Sequence, residues 1–161
     1  METGLSSEDL QMKNDDKRCP RGSVGAIIKD TNGRVLFILR ATFPVAWACP
    51  AGHFEVGETA GQAVNREVKE ETNLDAQNMR LVWHGVMNNP CRRGFTSHEW
   101  FVFVCVVSNI KDLSVDTTAA DDARWVSRID YAALEATEPG IERVWQEIIE
   151  KIPPEFWGPS Q

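Results

Sequence analysis

Residues 52–74 read GHFEVGETAGQAVNREVKEETNL, and this stretch decides the fold. Its second half predicts a helix over residues 60–72, on which Glu67, Glu70 and Glu71 share one third of the circumference. Like charges at this spacing repel, and the last two also lie in the final turn, where the helix dipole disfavours anions. A divalent cation would remove this repulsion, because clustered carboxylates are hard oxygen ligands suited to Mg²⁺ or Mn²⁺.

A solvated acidic face is the ordinary alternative for such a helix, since Arg66 and Lys69 offset part of the repulsion. The residues around the helix favour metal binding instead. The segment resembles the Nudix box, in which a Gly, a Glu, an Arg-Glu pair and a Glu-Glu pair stand at fixed intervals. Asn73 stands where the family usually has Gly, and Asn tolerates the left-handed conformation that ends a helix. The positions in register are Gly52, Glu58, Arg66, Glu67, Val68, Glu70, Glu71 and Leu74.

The resemblance implies a fold of the α/β class, a Nudix-type α/β/α sandwich with a mixed β-sheet. It also implies a divalent-metal-dependent pyrophosphohydrolase, with Glu67, Glu70 and Glu71 as ligands of Mg²⁺ or Mn²⁺. The backbone carbonyl of Gly52 or of its neighbour Ala51 would add a further ligand. Such an enzyme would cleave a diphosphate linkage in a nucleoside triphosphate, or in a nucleoside diphosphate linked to another group.

The same resemblance gives other box residues a supporting role. Arg66 would pair with Glu58, so that the adjacent Glu67 is aimed at the metal. Gly52 would allow the backbone to approach closely. The remaining scaffold positions are Thr59, which would cap the helix, and Val64 and Val68, which would pack it against the sheet.

Two alternatives to this hydrolase stay open. One is a Nudix-fold module that binds nucleotide as a sensor without turnover, although three repelling glutamates would serve no purpose there. The other is a hydrolase of dinucleoside polyphosphates or RNA caps. The short chain slightly favours triphosphate substrates.

The general base is not fixed by the sequence. Nudix members recruit it from different places, and the candidates here are Glu70, Glu71, Glu99, Asp121 and Asp122. The ordinary interpretation of Glu99 is an edge charge exposed to water, and that of the two aspartates is a polar turn.

Substrate contacts are expected from three regions. Arg40 ends a predicted strand, from which it could reach the phosphates. Arg92 and Arg93 lie in a loop and could clamp a phosphate or a base, or be solvated. Trp47 could stack on a base, although a large aromatic side chain is more often part of the core. No metal-ligand spacing relates the histidines His53, His84 and His98.

The rest of the chain predicts alternating strands and helices. The Asn32-Gly33 turn predicts a hairpin between the first two strands, and the apolar run 100–107 predicts a central strand. Strands are predicted at residues 23–29, 35–39, 81–87, 100–107 and 124–126, further helices at 129–136 and 141–152, and loops at 41–49, 88–97 and 109–123. Residues 1–20 are expected to form a flexible acidic leader, and residues 21–161 a single domain.

Composition narrows the classes of partner. The chain has 161 residues and a net charge of −7. This charge disfavours long nucleic acids as partners. It remains compatible with a small nucleotide diphosphate that binds through a metal ion. No secretory or membrane-spanning segment is visible. The four cysteines have no paired spacing, so free thiols in the cytoplasm are expected. The sequence leaves the oligomeric state open, a homodimer included.

Overall fold

One mixed β-sheet carries the fold. The structure is a computed structural model that describes residues 17–43, 45–107, 109–127 and 130, and in these residues seven strands form a single sheet. β1 and β6 run parallel, and the other strand pairs are antiparallel. The elements are β1 Ser23–Lys29, β2 Val35–Arg40, β3 Trp47–Ala48, β4 Ala51–His53, helix α1 Ala60–Thr72, β5 Ala76–Met87, β6 His98–Val107, a 3₁₀ turn Ile110–Asp112 and β7 Ala120–Val126.

Strand β1 places the beginning of the Nudix-like segment beside the beginning of β6. The main path of the sheet runs β3-β2-β1-β6-β5, while β4 pairs with β1 and β7 pairs with β2. Ser23, the first residue of β1, lies opposite His53 of β4 on one side and Trp100 of β6 on the other. Residues far apart in sequence therefore meet at this end of the sheet.

Apolar side chains cover both faces of the sheet. Val64 and Val68 of α1 are fully buried against a cluster that includes Ile28 and Leu36, as the sequence predicts. The other face carries a second cluster, in which Phe37 and Trp100 are buried. The α/β class with a mixed sheet is confirmed.

Most predicted strands are confirmed, and the differences lie at strand ends and within predicted loops. The hairpin forms with Gly33 at φ 76°, and β6 lies between β1 and β5. The loop expected at residues 109–123 is wrong at its end, because β7 begins at Ala120 and pairs with β2. Similarly, β5 begins at Ala76 rather than at residue 81, and the loop 41–49 contains the short strand β3.

The segment before β1 packs on the sheet. Cys19, within the leader expected at residues 1–20, is 4% exposed, and its N–H donates to the carbonyl of Ser97 at 2.9 Å. Lys17 accepts from Thr96 N–H at 2.9 Å. Residues 17–19 are therefore fixed beside β6. The helices predicted at residues 129–136 and 141–152 lie outside the described residues, apart from residue 130.

Both ends of α1 have the expected caps. Thr59 Oγ1 accepts from Gln62 N–H at 3.2 Å, and Gln62 Oε1 accepts from Thr59 N–H at 3.0 Å, which is a capping box. At the other end Asn73 adopts φ 60°, and its N–H donates to the carbonyl of Lys69. Asn at this position therefore closes the helix as Gly does in the family.

Replacing Thr59 with Ala is expected to lower the free energy of unfolding by about 1 kcal/mol, because the Gln62 N–H loses its acceptor. Urea denaturation measures the change. Thr59→Ser keeps the hydroxyl and should unfold within a few tenths of a kcal/mol of the parent. An alanine variant as stable as the parent would contradict the capping role.

Candidate active site

Arg66 is the centre of the hydrogen-bond network at the site. Its Nε and Nη2 donate to the two carboxylate oxygens of Glu58 at 2.7 and 3.0 Å, and Nη2 also donates to the carbonyl of His53 at 3.0 Å. Its Nη1 donates to Glu67 Oε1 at 2.8 Å and to Glu70 Oε2 at 3.1 Å. The guanidinium therefore ties the loop before α1 to two of the acidic side chains on the helix.

The pair between Arg66 and Glu58 is strong. Hydrogen bonds from Arg66 lower the pKa of Glu58 to about 2, and the same contacts raise the pKa of Arg66. Both groups therefore stay charged across the ordinary pH range. The pairing expected from the Nudix resemblance is present in the structure.

The three glutamates of the helix differ in their surroundings. Glu67 has a side chain 13% exposed, and burial raises its pKa. Glu70 has a side chain 56% exposed and is held by Arg66. Glu71 Oε2 accepts from Ala51 N–H at 3.2 Å, which ties α1 to β4. One carboxylate is thus desolvated, one faces solvent, and one is bound to the backbone.

Gly52 is required by the position of Glu67. A Cβ built on Gly52 would overlap the Glu67 carboxylate, so no larger residue fits while that carboxylate stays in place. The φ angle of Gly52 is not in the left-handed region, and the need for glycine here is therefore one of space.

Replacing Gly52 with Ala is expected to displace the Glu67 carboxylate and to lower both stability and any metal affinity of the glutamates. The destabilisation should be about 1–3 kcal/mol, the range for overpacking a filled site. Urea denaturation and Mg²⁺ or Mn²⁺ titration measure the two effects. Gly61→Ala is the control, because a Cβ at Gly61 of α1 meets nothing within 4 Å. A Gly52 variant that matches this control would contradict the packing argument.

Glu67 and Glu71 line a cavity of about 310 Å³. Its wall includes Glu67, Glu71, Ala51 and Gly52, so two carboxylates and the backbone of β4 converge there. Arg66 engages one oxygen of Glu67 and one oxygen of Glu70. The donor set consists of oxygen atoms, and the space that a Cβ of Gly52 would fill is already taken by a carboxylate. These residues fit a hard divalent cation such as Mg²⁺ or Mn²⁺.

The cavity wall also carries cationic side chains. The described lining residues include four arginines, Arg21, Arg40, Arg66 and Arg92, against three glutamates. Burial lowers the pKa of His53 to about 4, so this lining residue is neutral near pH 7. The cavity is therefore locally positive in a chain of net charge −7, which suits an anionic ligand such as a phosphate.

Several residues expected at the site lie elsewhere. Glu99 sits on the opposite face of β6 from His98 and Trp100, where its Oε1 is 2.7 Å from His84 Nε2. Trp47 is 6% exposed in the core, with the Arg124 guanidinium 4.7 Å from its ring centroid. Of the expected site residues, those outside the described cavity lining are Trp47, Glu58, Glu70, Arg93, Glu99, Asp121 and Asp122.

The position of these residues follows from the strands. Asp121 and Asp122 belong to β7 rather than to a turn, and Asp122 Oδ2 lies 3.4 Å from Arg124 Nε. Of the expected substrate contacts, Arg40 and Arg92 line the cavity. Among the candidates for the general base, Glu71 lines it as well, whereas Glu70, Glu99 and both aspartates do not.

Sequence reasoning missed other residues of the cavity. Arg21 donates to the carbonyl of Phe54 through Nε at 3.0 Å and through Nη2 at 2.6 Å, which fixes it at the wall. Glu55 lines the cavity within the box itself. Pairing of β1 with β4 brings Arg21 to the site, and no local motif marks it. Also missed are His98, Asn89 and Pro90.

Comparison with known proteins identifies the family of this chain. The family profile of the NUDIX domain matches residues 20–147, and the chain belongs to the Nudix family. A solved Nudix hydrolase from Nitrosomonas europaea superimposes with a TM-score of 0.67 at 25% identity, over 85% of this chain and 95% of that one.

Two curated relatives carry names of activities. The chain is 35% identical over 119 residues to an ADP-ribose pyrophosphatase from Methanocaldococcus jannaschii, covering 71% of this chain and 64% of that protein. It is 39% identical over 62 residues to an RNA pyrophosphohydrolase from Teredinibacter turnerae, covering 38% of this chain and 36% of that protein. The matches thus span less than two thirds of these relatives. In the described residues, no helix is long and apolar enough to cross a bilayer.

Proposed function

We propose that this chain is a hydrolase of phosphoric anhydride bonds in nucleotides. The observation that carries the proposal is that Glu67, Glu71 and Gly52 line one cavity together with four arginines. These arginines are Arg66, which forms the network described above, and Arg21, Arg40 and Arg92. Nudix hydrolases generally use divalent metal ions, and Mg²⁺ or Mn²⁺ is the cation proposed here. When bound, it neutralises phosphate oxygens and lowers the pKa of a bound water.

Each group of residues has a distinct task in this proposal. Glu67, Glu70 and Glu71 hold the cation, with the carbonyl of Gly52 as a further ligand. Arg66 positions Glu67, and its N–H groups oppose the rise that burial causes in the Glu67 pKa. The separate cationic wall formed by Arg21, Arg40 and Arg92 holds the phosphates.

The reaction transfers a phosphoryl group to water. A water oxygen bonds to one phosphorus, the bridging oxygen leaves with the other phosphate, and a carboxylate accepts the proton lost by the water. Glu71 is the proposed acceptor, because it lines the cavity and Glu99 does not. Nucleophile, base and cationic wall then lie in one cavity.

The substrate class is a nucleoside triphosphate or a nucleoside diphosphate linked to another group. The 35% identity to a protein named ADP-ribose pyrophosphatase, over 71% of this chain, favours the second form. Long RNA is disfavoured by the net charge of −7, and the proposed location is the cytoplasm.

A substrate panel with Mg²⁺ tests the proposal. Nucleoside triphosphates, ADP-ribose, a dinucleoside polyphosphate and a 5′-triphosphorylated RNA are each incubated with the protein, and the products are separated by chromatography. Cleavage of ADP-ribose to AMP and ribose 5-phosphate, or of a triphosphate to a monophosphate and pyrophosphate, supports it. Nucleotide binding without turnover of any substrate would overturn it in favour of a sensor module.

A further inference from the structure

We propose that Cys19, His53 and His98 form a binding site for a thiophilic transition metal ion of the Zn²⁺ class, separate from the glutamates of α1. Cys19 Sγ and one ring nitrogen of each histidine lie within 4.8 Å of one another. The three residues come from the segment before β1, from the end of β4 and from the start of β6. This inference is independent of the proposed hydrolase activity.

The backbone holds these three residues together. Cys19 N–H donates to the Ser97 carbonyl, immediately before His98, and residue 18 forms a bridge with Ser97. His53 and His98 have ring centroids 5.5 Å apart, at 58° to one another. The cluster is therefore built by strand pairing and not by a flexible surface loop.

His98 carries the strongest observation. Its Nδ1 lies 3.1 Å from the carbonyl oxygen of Asn89 and 3.2 Å from Asn89 Oδ1. Oδ1 already accepts from Trp100 Nε1 at 3.0 Å, so both atoms facing Nδ1 are acceptors. Nδ1 must therefore carry the proton, and in the neutral ring Nε2 holds a lone pair.

That lone pair is buried and has no partner. His98 is 1% exposed, and its Nε2 makes no hydrogen bond in the described residues. His53 Nε2 is also buried, and no partner for it occurs in the part of the chain that the structure describes. An unsatisfied buried polar atom destabilises the folded state, and two such atoms on neighbouring rings call for a shared explanation. A metal ion accepts a lone pair from each ring and removes both penalties.

The hydrogen bonds of His98 match those of a metal-bound histidine. A ligating imidazole usually donates its other N–H to a carbonyl or carboxylate, which fixes both tautomer and ring orientation. Asn89 provides this acceptor and is 5% exposed. The ring is therefore oriented before any metal arrives.

The donor set selects a different metal from the glutamate cluster. One thiolate and two imidazoles suit Zn²⁺ or Co²⁺, whereas all-oxygen sites suit Mg²⁺. With metal–ligand lengths of about 2.0–2.3 Å, ligand atoms around one tetrahedral ion lie about 3.3–3.8 Å apart, so small side-chain shifts complete the site. Both histidines line the cavity, where water or a substrate atom can supply a fourth ligand.

Charge sets one condition on this site. Arg21, Arg40 and Arg93 act electrostatically on His53, so the surroundings disfavour a bare cation. Cys19 must therefore bind as the thiolate, which lowers the net charge of the complex. A metal signal that depends on Cys19 is the specific expectation.

Metal at this site would stabilise one wall of the cavity. It would join the segment before β1 to β4, where the His53 carbonyl accepts from Arg66. A metal ion that binds the folded state and not the unfolded state raises the unfolding temperature. The expected result is a rise in unfolding temperature on adding Zn²⁺. Cys19→Ser should abolish this rise and Cys105→Ser should retain it, because Cys105 is buried in the core cluster that packs against α1.

Titration of the whole chain with Co²⁺ tests the site directly. Thiolate-to-cobalt charge-transfer absorption in the near ultraviolet reports the cysteine ligand and is blind to cobalt on carboxylates. The expected result is one equivalent of Co²⁺ with this band, lost in Cys19→Ser and His98→Gln, retained in Cys105→Ser and His84→Gln. One equivalent of Zn²⁺, but not excess Mg²⁺, should displace it.

Further measurements keep the test decisive. Near-ultraviolet circular dichroism identifies any variant that fails to fold. If a variant does not fold, the test is instead made on the parent chain, where bound Zn²⁺ should protect Cys19 from alkylation. The band should persist in Glu71→Gln, so its presence does not depend on hydrolase activity. Absence of the band in the parent, or a band that survives in Cys19→Ser, would overturn the proposal.

Discussion

Replacing Glu71 with Gln is expected to lower kcat by at least about 100-fold while leaving the fold intact. Losing a group that only orients a metal ligand costs about 10–100-fold, so losing a ligand should cost at least the upper value. The amide oxygen of Gln can still accept from Ala51 N–H, now 3.2 Å from Glu71 Oε2, so the backbone contact survives and the charge is lost. Turnover of the best panel substrate at saturating Mg²⁺, with circular dichroism, measures both effects.

Glu99→Gln is the matched control for this experiment. Glu99 has a side chain 48% exposed and bonds to His84 on the face of β6 away from the cavity, so its loss should change kcat less than about twofold. Equal losses in the two variants would mean that Glu99 reaches the substrate and serves as the base. Full activity in Glu71→Gln would remove Glu71 from the site.

Local sequence predicts the helix of the box and its network well. The resemblance to the Nudix box implies that Arg66 pairs with Glu58, and the structure has that contact at 2.7 Å. The left-handed conformation of Asn73 was predictable, because it depends only on this residue and on its place at the end of the helix. Contacts between residues that lie close together in the sequence are the ones that a single sequence predicts most directly.

The first half of strand β7, residues 120–123, was missed because its pattern is polar, whereas a strand was predicted at residues 124–126. Asp121 is exposed, Asp122 is half-buried, and the only fully buried members of the strand are Ala120 and Val126 at its ends. Pairing with β2 holds the strand, and that pairing is not visible in local alternation. The same limit applies to the start of β5, where Asn78 adopts φ 52° and the register with β6 shifts.

The Cys19, His53 and His98 cluster was missed for a topological reason. Parallel pairing of β1 with β6 brings the segment before one strand beside the first residues of the other. Metal motifs are recognised from sequence by short spacings between ligands, and these three ligands have none. Arg21 reaches the cavity for the same reason, because it lies just before the first residue of β1.

Replacing Arg66 with Ala is expected to lower the free energy of unfolding by about 2–3 kcal/mol. The change leaves Glu58 and Glu67, whose side chains are 16% and 13% exposed, without their shared cation. Breaking a fully buried pair costs about 3–5 kcal/mol, and the residual exposure here reduces that value. Arg66→Lys should recover only part of the loss, because an ammonium cannot match the guanidinium fork. Urea denaturation at pH 7 gives the difference.

Lys69→Ala provides the comparison on the same helix. Its side chain is 51% exposed and pairs with Asp75, so its loss should cost less than about 0.5 kcal/mol. A loss for Arg66→Ala as small as this would show that the network contributes little to stability.

The stability of Arg66→Ala is expected to depend less on pH in the acid range than the stability of the parent chain. The folded pKa of Glu58, about 2, lies below its ordinary 4.5, so the folded state binds fewer protons than the unfolded state between these values. The stabilisation is therefore present above pH 4.5 and is lost as pH falls towards 2. Without Arg66 the pKa of Glu58 returns towards its ordinary value, and unfolding curves measured between pH 5 and pH 2 should fall less steeply for the variant. Equal slopes would mean that Arg66 is not what keeps Glu58 ionised.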